Sequence, residues 1–246
     1  MRGMSTNSPH DNQSAIAAWN AAADHLDDFG DEGDWSHRHL LNPALFALFG
    51  DVAGRRILDL GCGEGYLSRM LARRGALVTG VEPAERLYAL CLEREAREPL
   101  GITYHQQDAS ALALPVAAFD TVVMNMILQD IPDYQGAIRK AGAVVTPGGD
   151  VVLSLLHPCF EESASRWPDR NVVEIREYLA EFAQPQELFG LRYHRPLSAY
   201  INALLEAGLM LRRMVEPRLA PEIAANGNDR DAHVPSFLVL HLQKLA

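Results

Sequence analysis

The chain has few cysteines, a shortage of positive charge and no long apolar run, and each shortage removes a class of function. Its three cysteines, Cys62, Cys91 and Cys159, are widely separated and form no C-x-x-C pair. They suggest neither a disulfide framework nor a metal site, and a reducing cytoplasm suits them best. Against 32 acidic residues stand 22 lysines and arginines, scattered without a cluster, for a net charge of −10. Phosphate backbones are held by basic surfaces, so nucleic acid is an unfavoured partner. No stretch of eighteen apolar residues is present, which excludes a helical membrane span. Residues 1–13 are polar and lack the apolar segment of a secretory signal; they are expected to be a disordered leader. Repeats, low-complexity tracts and a lysine-bearing phosphate loop are also absent.

What the chain does have is concentrated between Ile57 and Gly65, which read I-L-D-L-G-C-G-E-G. A short apolar strand runs into Asp59, glycines alternate at 61, 63 and 65, and a helical pattern follows. Glycines without a Cβ let a ligand lie against main-chain atoms at a helix N-terminus. Roughly twenty residues later a second apolar strand ends in Glu82, the interval at which a βαβ unit sets a carboxylate beside a nucleoside's ribose. The third glycine of a dinucleotide loop would fall at Tyr66, so the pattern suits a nucleoside and not a dinucleotide.

With 246 residues and 48% apolar content, the chain can form one large domain carrying a lid or an insert. Apolar spacings of three and four predict helices over 14–29 and 37–49, separated by a Gly- and Asp-rich break, so residues 14–50 read as an N-terminal cap. The rest, 51–246, begins as an alternation of strands near 56–60, 77–82, 102–107, 120–125 and 150–156 with helices near 65–74, 84–97 and 134–144. Pro147-Gly148-Gly149 is expected to turn the chain into the fifth strand. Residues 158–197 break the alternation, with Trp167-Pro168-Asp169-Arg170 and aromatics at 178, 182, 189 and 193; they read as an insert over the mouth of a site. A helix from Ser198 to Ala207 and strands near 209–216 and 236–242 close the chain.

The run D-x-G-C-G-x-G from Asp59, the acid Glu82, Gln107-Asp108-Ala109, Phe119-Asp120-Thr121-Val122-Val123 and Pro147-Gly148-Gly149 occur in one order at characteristic intervals. Over residues 50–157 this set resembles the class I S-adenosylmethionine-dependent methyltransferase superfamily. His157-Pro158-Cys159-Phe160 and His194-Arg195-Pro196-Leu197 resemble, less specifically, segments of its small-molecule members. Where adenine methylases carry N-P-P-Y, this chain has Asn125-Met126-Ile127-Leu128. The resemblance implies an α/β, Rossmann-like fold: a seven-stranded, mostly parallel sheet with helices on both faces, a helical leader and a lid-like insert after the fifth strand.

It also implies S-adenosylmethionine as cofactor. Asp59, Gly61, Cys62 and Gly63 would face its aminoacyl part, and Glu82 would accept from both ribose hydroxyls with Pro83 beside the base. Asp108 and the Ala109 N–H would meet the adenine edge, and Met124 and Asn125 the methionine moiety. Each has a plainer reading: a tight turn for the glycines, a solvated strand end for Glu82, a turn cap for Asp108. A sulfonium is already an electrophile, so the protein must align a nucleophile and, for a hydroxyl or protonated amine, remove a proton. His157 is the first candidate base, because imidazole titrates near neutral pH. Asp130 is the second, with helix capping as its rival reading, and Gln129 can orient substrate but never act as a base. Trp35, His194 and Arg195 are candidate substrate contacts, and Trp19 is divided between core and pocket. The expectation is a cytoplasmic methyltransferase acting on an oxygen or nitrogen of a small molecule, without metal, nucleic acid or membrane. The alternative is an enzyme of the same fold and cofactor that catalyses a cyclisation or rearrangement. Oligomeric state is not encoded in any feature of the chain.

Overall fold

The computed structural model describes residues 11–160, 172–224 and 230–246. Near-continuous apolar runs, the mark of strands covered on both faces, build the centre of its sheet. The strands and helices are β1 (Arg56–Leu60), α3 (Tyr66–Ala72), β2 (Leu77–Val81), α4 (Glu85–Arg97), β3 (Thr103–His105), β4 (Phe119–Asn125), α5 (Tyr134–Val144) and β5 (Val145–Leu156). Ahead of them lie α1 (Asn12–Ala22) and α2 (Asn42–Phe49). A hairpin, β6 (Phe182–Gln186) and β7 (Gly190–His194), is followed by α6 (Leu197–Glu206), β8 (Leu209–Val215), two single-turn helices and β9 (Phe237–Lys244).

The seven-stranded sheet runs β3-β2-β1-β4-β5-β9-β8. β1 to β5 are parallel, and β9 is antiparallel to both neighbours. Chain order reverses between β1 and β4, and in open α/β sheets a ligand crevice opens outside the carboxyl ends of strands at that point. Alternate residues of β1 and β4 feed opposite faces. Leu58, Val122 and Met124 pack with α5 and α6, whereas Ile57 and Val123 pack with α2 and α3. Each fully buried leucine or isoleucine there stabilises the fold by about 1.5–3 kcal/mol, and together they hold the crevice walls rigid.

The structure departs from the sequence reading in three places. β5 begins at Val145, so Pro147-Gly148-Gly149 lies inside the strand: Phe119 pairs with Val145, then Thr121 with Asp150, and the intervening residues bulge. The first helix is α-helical only to Ala22 and continues as a 3-10 helix, Ala23–Glu32, kinked at Gly30. In that segment Asp and Gly replace good helix formers. The stretch predicted as 37–49 opens with a π-turn, His37–Leu41, before α2. Within 158–197 the structure forms the β6–β7 hairpin; residues 161–171, with Trp167-Pro168-Asp169-Arg170, and most of the predicted leader, 1–10, lie outside the described residues.

Candidate active site

The loop after β1 is built from backbone that side chains rarely adopt. Gly61, Gly63 and Gly65 have φ of +75°, +58° and +84°. A Cβ at Gly61 would stand 2.7 Å from Ile127 Cγ2, whereas one at Gly63 would meet nothing within 4 Å. Gly61 N–H and Cys62 N–H both donate to the Val81 carbonyl, at 2.8 and 2.9 Å, which folds the loop over the end of β2. There Glu82 Oε2 accepts from Gly63 N–H at 3.0 Å and Oε1 from Ala84 N–H at 2.8 Å. A carboxylate oxygen accepts more than one hydrogen bond, so each retains capacity for a further donor. Burial nevertheless pushes the Glu82 carboxyl up to about 8. Asp59, accepting from Ser68 Oγ at 2.7 Å, is pushed up by burial to about 6.

These groups line a cavity of about 370 Å³ at the β1/β4 crevice. Asp59, Gly61, Cys62 and Gly63 line its first wall, and Glu82, Pro83, Asp108 and Ala109 the next. Asn125, Gln129 and Asp130 come from the end of β4 and its turn. Asn125 is held from both sides: Nδ2 donates to Tyr66 Oη at 2.8 Å, and Oδ1 accepts from Ser154 Oγ at 2.6 Å. Asp108 caps its own turn through Ser110 N–H at 2.8 Å and accepts from Asn12 Nδ2 at 2.9 Å. Gln129 donates from Nε2 to the Met126 carbonyl and to Asp130 Oδ2, and its buried Oε1 has no partner among the described residues.

Residues 58–153 match the family described as "Methyltransferase domain". A ubiquinone biosynthesis O-methyltransferase of Coxiella burnetii is 33% identical over 126 residues, covering 50% of this chain and 54% of that protein. The chain thus spans about half the length of the first curated relatives it matches. The protein of the same name from Methylocella silvestris is 29% identical over 198 residues, covering 69% of this chain and 76% of its own. The crystal structure of an S-adenosylmethionine dependent methyltransferase from Mesorhizobium loti superposes with a TM-score of 0.74 at 28% identity, covering 82% of this chain and 96% of that one. Residues 58–153 are thus a methyltransferase domain, in a chain folded like S-adenosylmethionine-dependent methyltransferases.

Not every candidate residue reaches the cavity. His157 is a correction: it is buried outside the wall, its Nδ1 accepting from Cys159 N–H at 3.2 Å and its Nε2 donating to Glu216 at 2.9 Å. Burial lowers its pKa against the opposing pull of Glu216, and both ring nitrogens are committed to structure. Met124 points into the core, and Met126, two residues later, lines the cavity with a left-handed φ of 59°. Trp35 lies against His39, ring centroids 5.0 Å apart, and not in the wall. His194 donates to the Tyr178 carbonyl at 2.9 Å and stacks on Phe182. Arg195 donates to the carbonyls of Leu128, Ile131 and Pro132 at 2.8, 2.8 and 3.2 Å, bracing the Gln129–Asp130 turn from behind. Both residues are buried away from the cavity. Trp19 does line it, stacked on Phe189 of the β6–β7 turn at 4.6 Å.

The sequence reading missed a second pair of lining residues, Asp34 and His37. Asp34 Oδ1 meets His37 Nδ1 at 2.7 Å and also accepts from His37 N–H at 2.8 Å. Burial pushes the Asp34 carboxyl up, but the hydrogen bond and charge of His37 and the backbone N–H groups outweigh it and leave the pKa lowered. An acid and a histidine three residues apart at a helix start was the available signal, since that spacing stacks them on one face. Asn12, too, was read only as part of a leader.

Proposed function

We propose that this chain transfers a methyl group from S-adenosylmethionine to a small-molecule acceptor, at oxygen or nitrogen, with oxygen favoured by the names of its relatives. The observation that carries the reading is Glu82: a buried carboxylate at the end of β2, each oxygen tied once to backbone and retaining capacity for one ribose hydroxyl. The open space above Gly63 suits the aminoacyl group, which α3's N-terminal N–H groups favour electrostatically. Asp108 and Ala109 take the adenine edge, between Pro83 and Leu87. Bound there, the cofactor supplies a methyl on a positively charged sulfur, ready for displacement. The chain's part is to align the acceptor and exclude water, with the N-terminal cap and the β6–β7 hairpin lining the cavity's cover. A cytoplasmic enzyme acting on free small molecules fits the net charge of −10 and the absence, among the described residues, of any helix long and apolar enough to cross a membrane.

Calorimetry with S-adenosylhomocysteine tests the reading: one site is expected, and Glu82→Ala should weaken it about a hundredfold, the loss of two charge-assisted hydrogen bonds. Equal affinity in the variant removes the ribose assignment. Mass spectrometry after incubation with S-adenosylmethionine and a panel of phenols, alcohols and amines should show demethylated cofactor. Binding without demethylation across that panel would turn the reading to the cyclisation or rearrangement alternative.

A further inference from the structure

Methyl transfer to a hydroxyl or ammonium group releases a proton, and the wall of the cavity holds one group placed to take it. Glu82 is tied to backbone, Asp108 to Asn12 and Asp130 to Gln129. Glu64 is paired with Arg94 at 3.0 Å. His37 differs from all of these. Its Nδ1 is bound to Asp34, and its Nε2 has no hydrogen-bond partner among the described residues. In its neutral form the ring, with the carboxylate accepting at Nδ1, carries its proton there and leaves a lone pair on Nε2.

The imidazole is fixed from three sides. Asp34 binds both the ring and the main-chain N–H of His37 through one oxygen. Gly33 leaves the room the ring fills, since a Cβ there would stand 2.7 Å from His37 Cβ and 2.8 Å from Cγ, and its φ of +79° also disfavours any side chain. Tyr66 sets its ring edge-on to the imidazole, centroids 5.1 Å apart, and Tyr66 Oη accepts from Asn125. The histidine is therefore packed on the same network that orients the end of β4. It lines the cavity while its side chain remains 18% exposed, so a proton it gains has a route to water.

We propose that His37 is the general base of the transfer, with Asp34 the positioning residue that sets its tautomer. This rests on the methyltransferase reading above. As an acceptor oxygen's lone pair forms the new O–C bond, the C–S bond breaks with its electron pair passing to sulfur. The O–H proton moves to His37 Nε2 and then to solvent, leaving methyl ether and S-adenosylhomocysteine. A base is superfluous for an acceptor that is already an anion, so the arrangement selects acceptors protonated at neutral pH, phenols, alcohols or ammonium groups, over carboxylates.

The test is 15N-histidine NMR on the full chain with S-adenosylhomocysteine bound, together with rates over a panel of phenols, amines and carboxylates. The expected spectrum shows His37 as the Nδ1–H tautomer with an unprotonated Nε2. In Asp34→Asn the tautomer should shift toward Nε2–H while S-adenosylhomocysteine affinity stays within about twofold. Any acceptor turned over should be protonated at neutral pH, and His37→Gln should slow it a hundredfold or more at unchanged cofactor affinity. A proton on Nε2 in the wild-type complex, full activity in His37→Gln or preferred methylation of carboxylates would each overturn the proposal. Failure of the wild-type chain to bind S-adenosylhomocysteine would instead defeat the methyltransferase reading itself.

Discussion

On the proposed reading, a ribose's hydroxyls and the solvent's protons compete for the two carboxyl oxygens of Glu82. Burial raises its pKa to about 8, so the empty site is largely protonated at pH 7. Hydroxyl donors favour the ionised form, so cofactor binding should expel that proton. Affinity is then expected to rise about tenfold per pH unit from pH 6 toward 8 and to level above it. Calorimetry in two buffers of different ionisation enthalpy should register about one proton released below pH 7; affinity flat from pH 6 to 9 would contradict this. Asp59 makes a related statement about stability. Its folded pKa is raised to about 6, above the unfolded value of roughly 3.9. Its contribution is therefore fully present below the unfolded value and is lost as pH rises through 6. Asp59→Asn keeps an acceptor for Ser68 without the buried charge, so it should stabilise the ligand-free protein by about 3 kcal/mol at pH 8 and by about 0.5 kcal/mol near pH 4. Thermal unfolding at both pH values checks it.

The elements that the sequence disclosed are those fixed by local pattern. β1 and α5 fall where apolar runs and period place them, because a buried strand and an amphipathic helix need only their own residues to be recognised. That the glycine loop, Glu82 and Asp108 would line one crevice was readable for a similar reason: strands and turns at fixed spacing bring their carboxyl ends together. The hairpin was not readable. β6 contains Pro185 and its strands pair with each other alone, so no alternation marks them. The structural commitment of His157 was also hidden, since the Glu216 that occupies it is 59 residues away and only the fold brings it near. Arg195 shows the same limit, an apparent substrate ligand that proves to be a brace for the β4–α5 turn. Because its guanidinium serves three carbonyls and lies 4.1 Å over the Tyr134 ring, Arg195→Ala leaves buried acceptors unpaired. A loss of about 2–4 kcal/mol in urea unfolding is expected. Arg195→Lys should recover only part of it, because an ammonium lacks the planar fork that reaches separate acceptors. A lysine variant as stable as wild type would show that charge alone matters there.

Across the molecule, α1 ties the parts that the sheet leaves separate. Asn12, Ala15, Ile16 and Trp19, one helical face, line the cavity. At one end Asn12 donates to Asp108 and to Ser110 Oγ at 2.6 Å, and accepts from Asp133 N–H at 3.1 Å, joining the β3 and β4 loops. At the other, Trp19 stacks on Phe189, and Asn20 Oδ1 accepts from Arg86 N–H at 2.8 Å at the start of α4. Asn12 and Trp19 are about 10 Å apart along the helix, so the two ends are separate fastenings over one opening. We expect ligand entry beneath α1 to require release of a fastening, which would make exchange a gated step. Asn12→Ala removes hydrogen bonds to a carboxylate that a bound adenine would also use; a carboxylate has acceptor capacity for both donors, so the loss falls on the gate more than on the ligand. We therefore expect S-adenosylhomocysteine to dissociate about tenfold faster from Asn12→Ala and to associate faster as well, with a smaller change in affinity. Trp19→Ala should act in the same direction, and the double variant should combine the two effects nearly additively because the fastenings share no contact. Stopped-flow displacement decides the matter: an unchanged dissociation rate in the double variant would mean that the cavity is reached by another path and that α1 is a fixed wall.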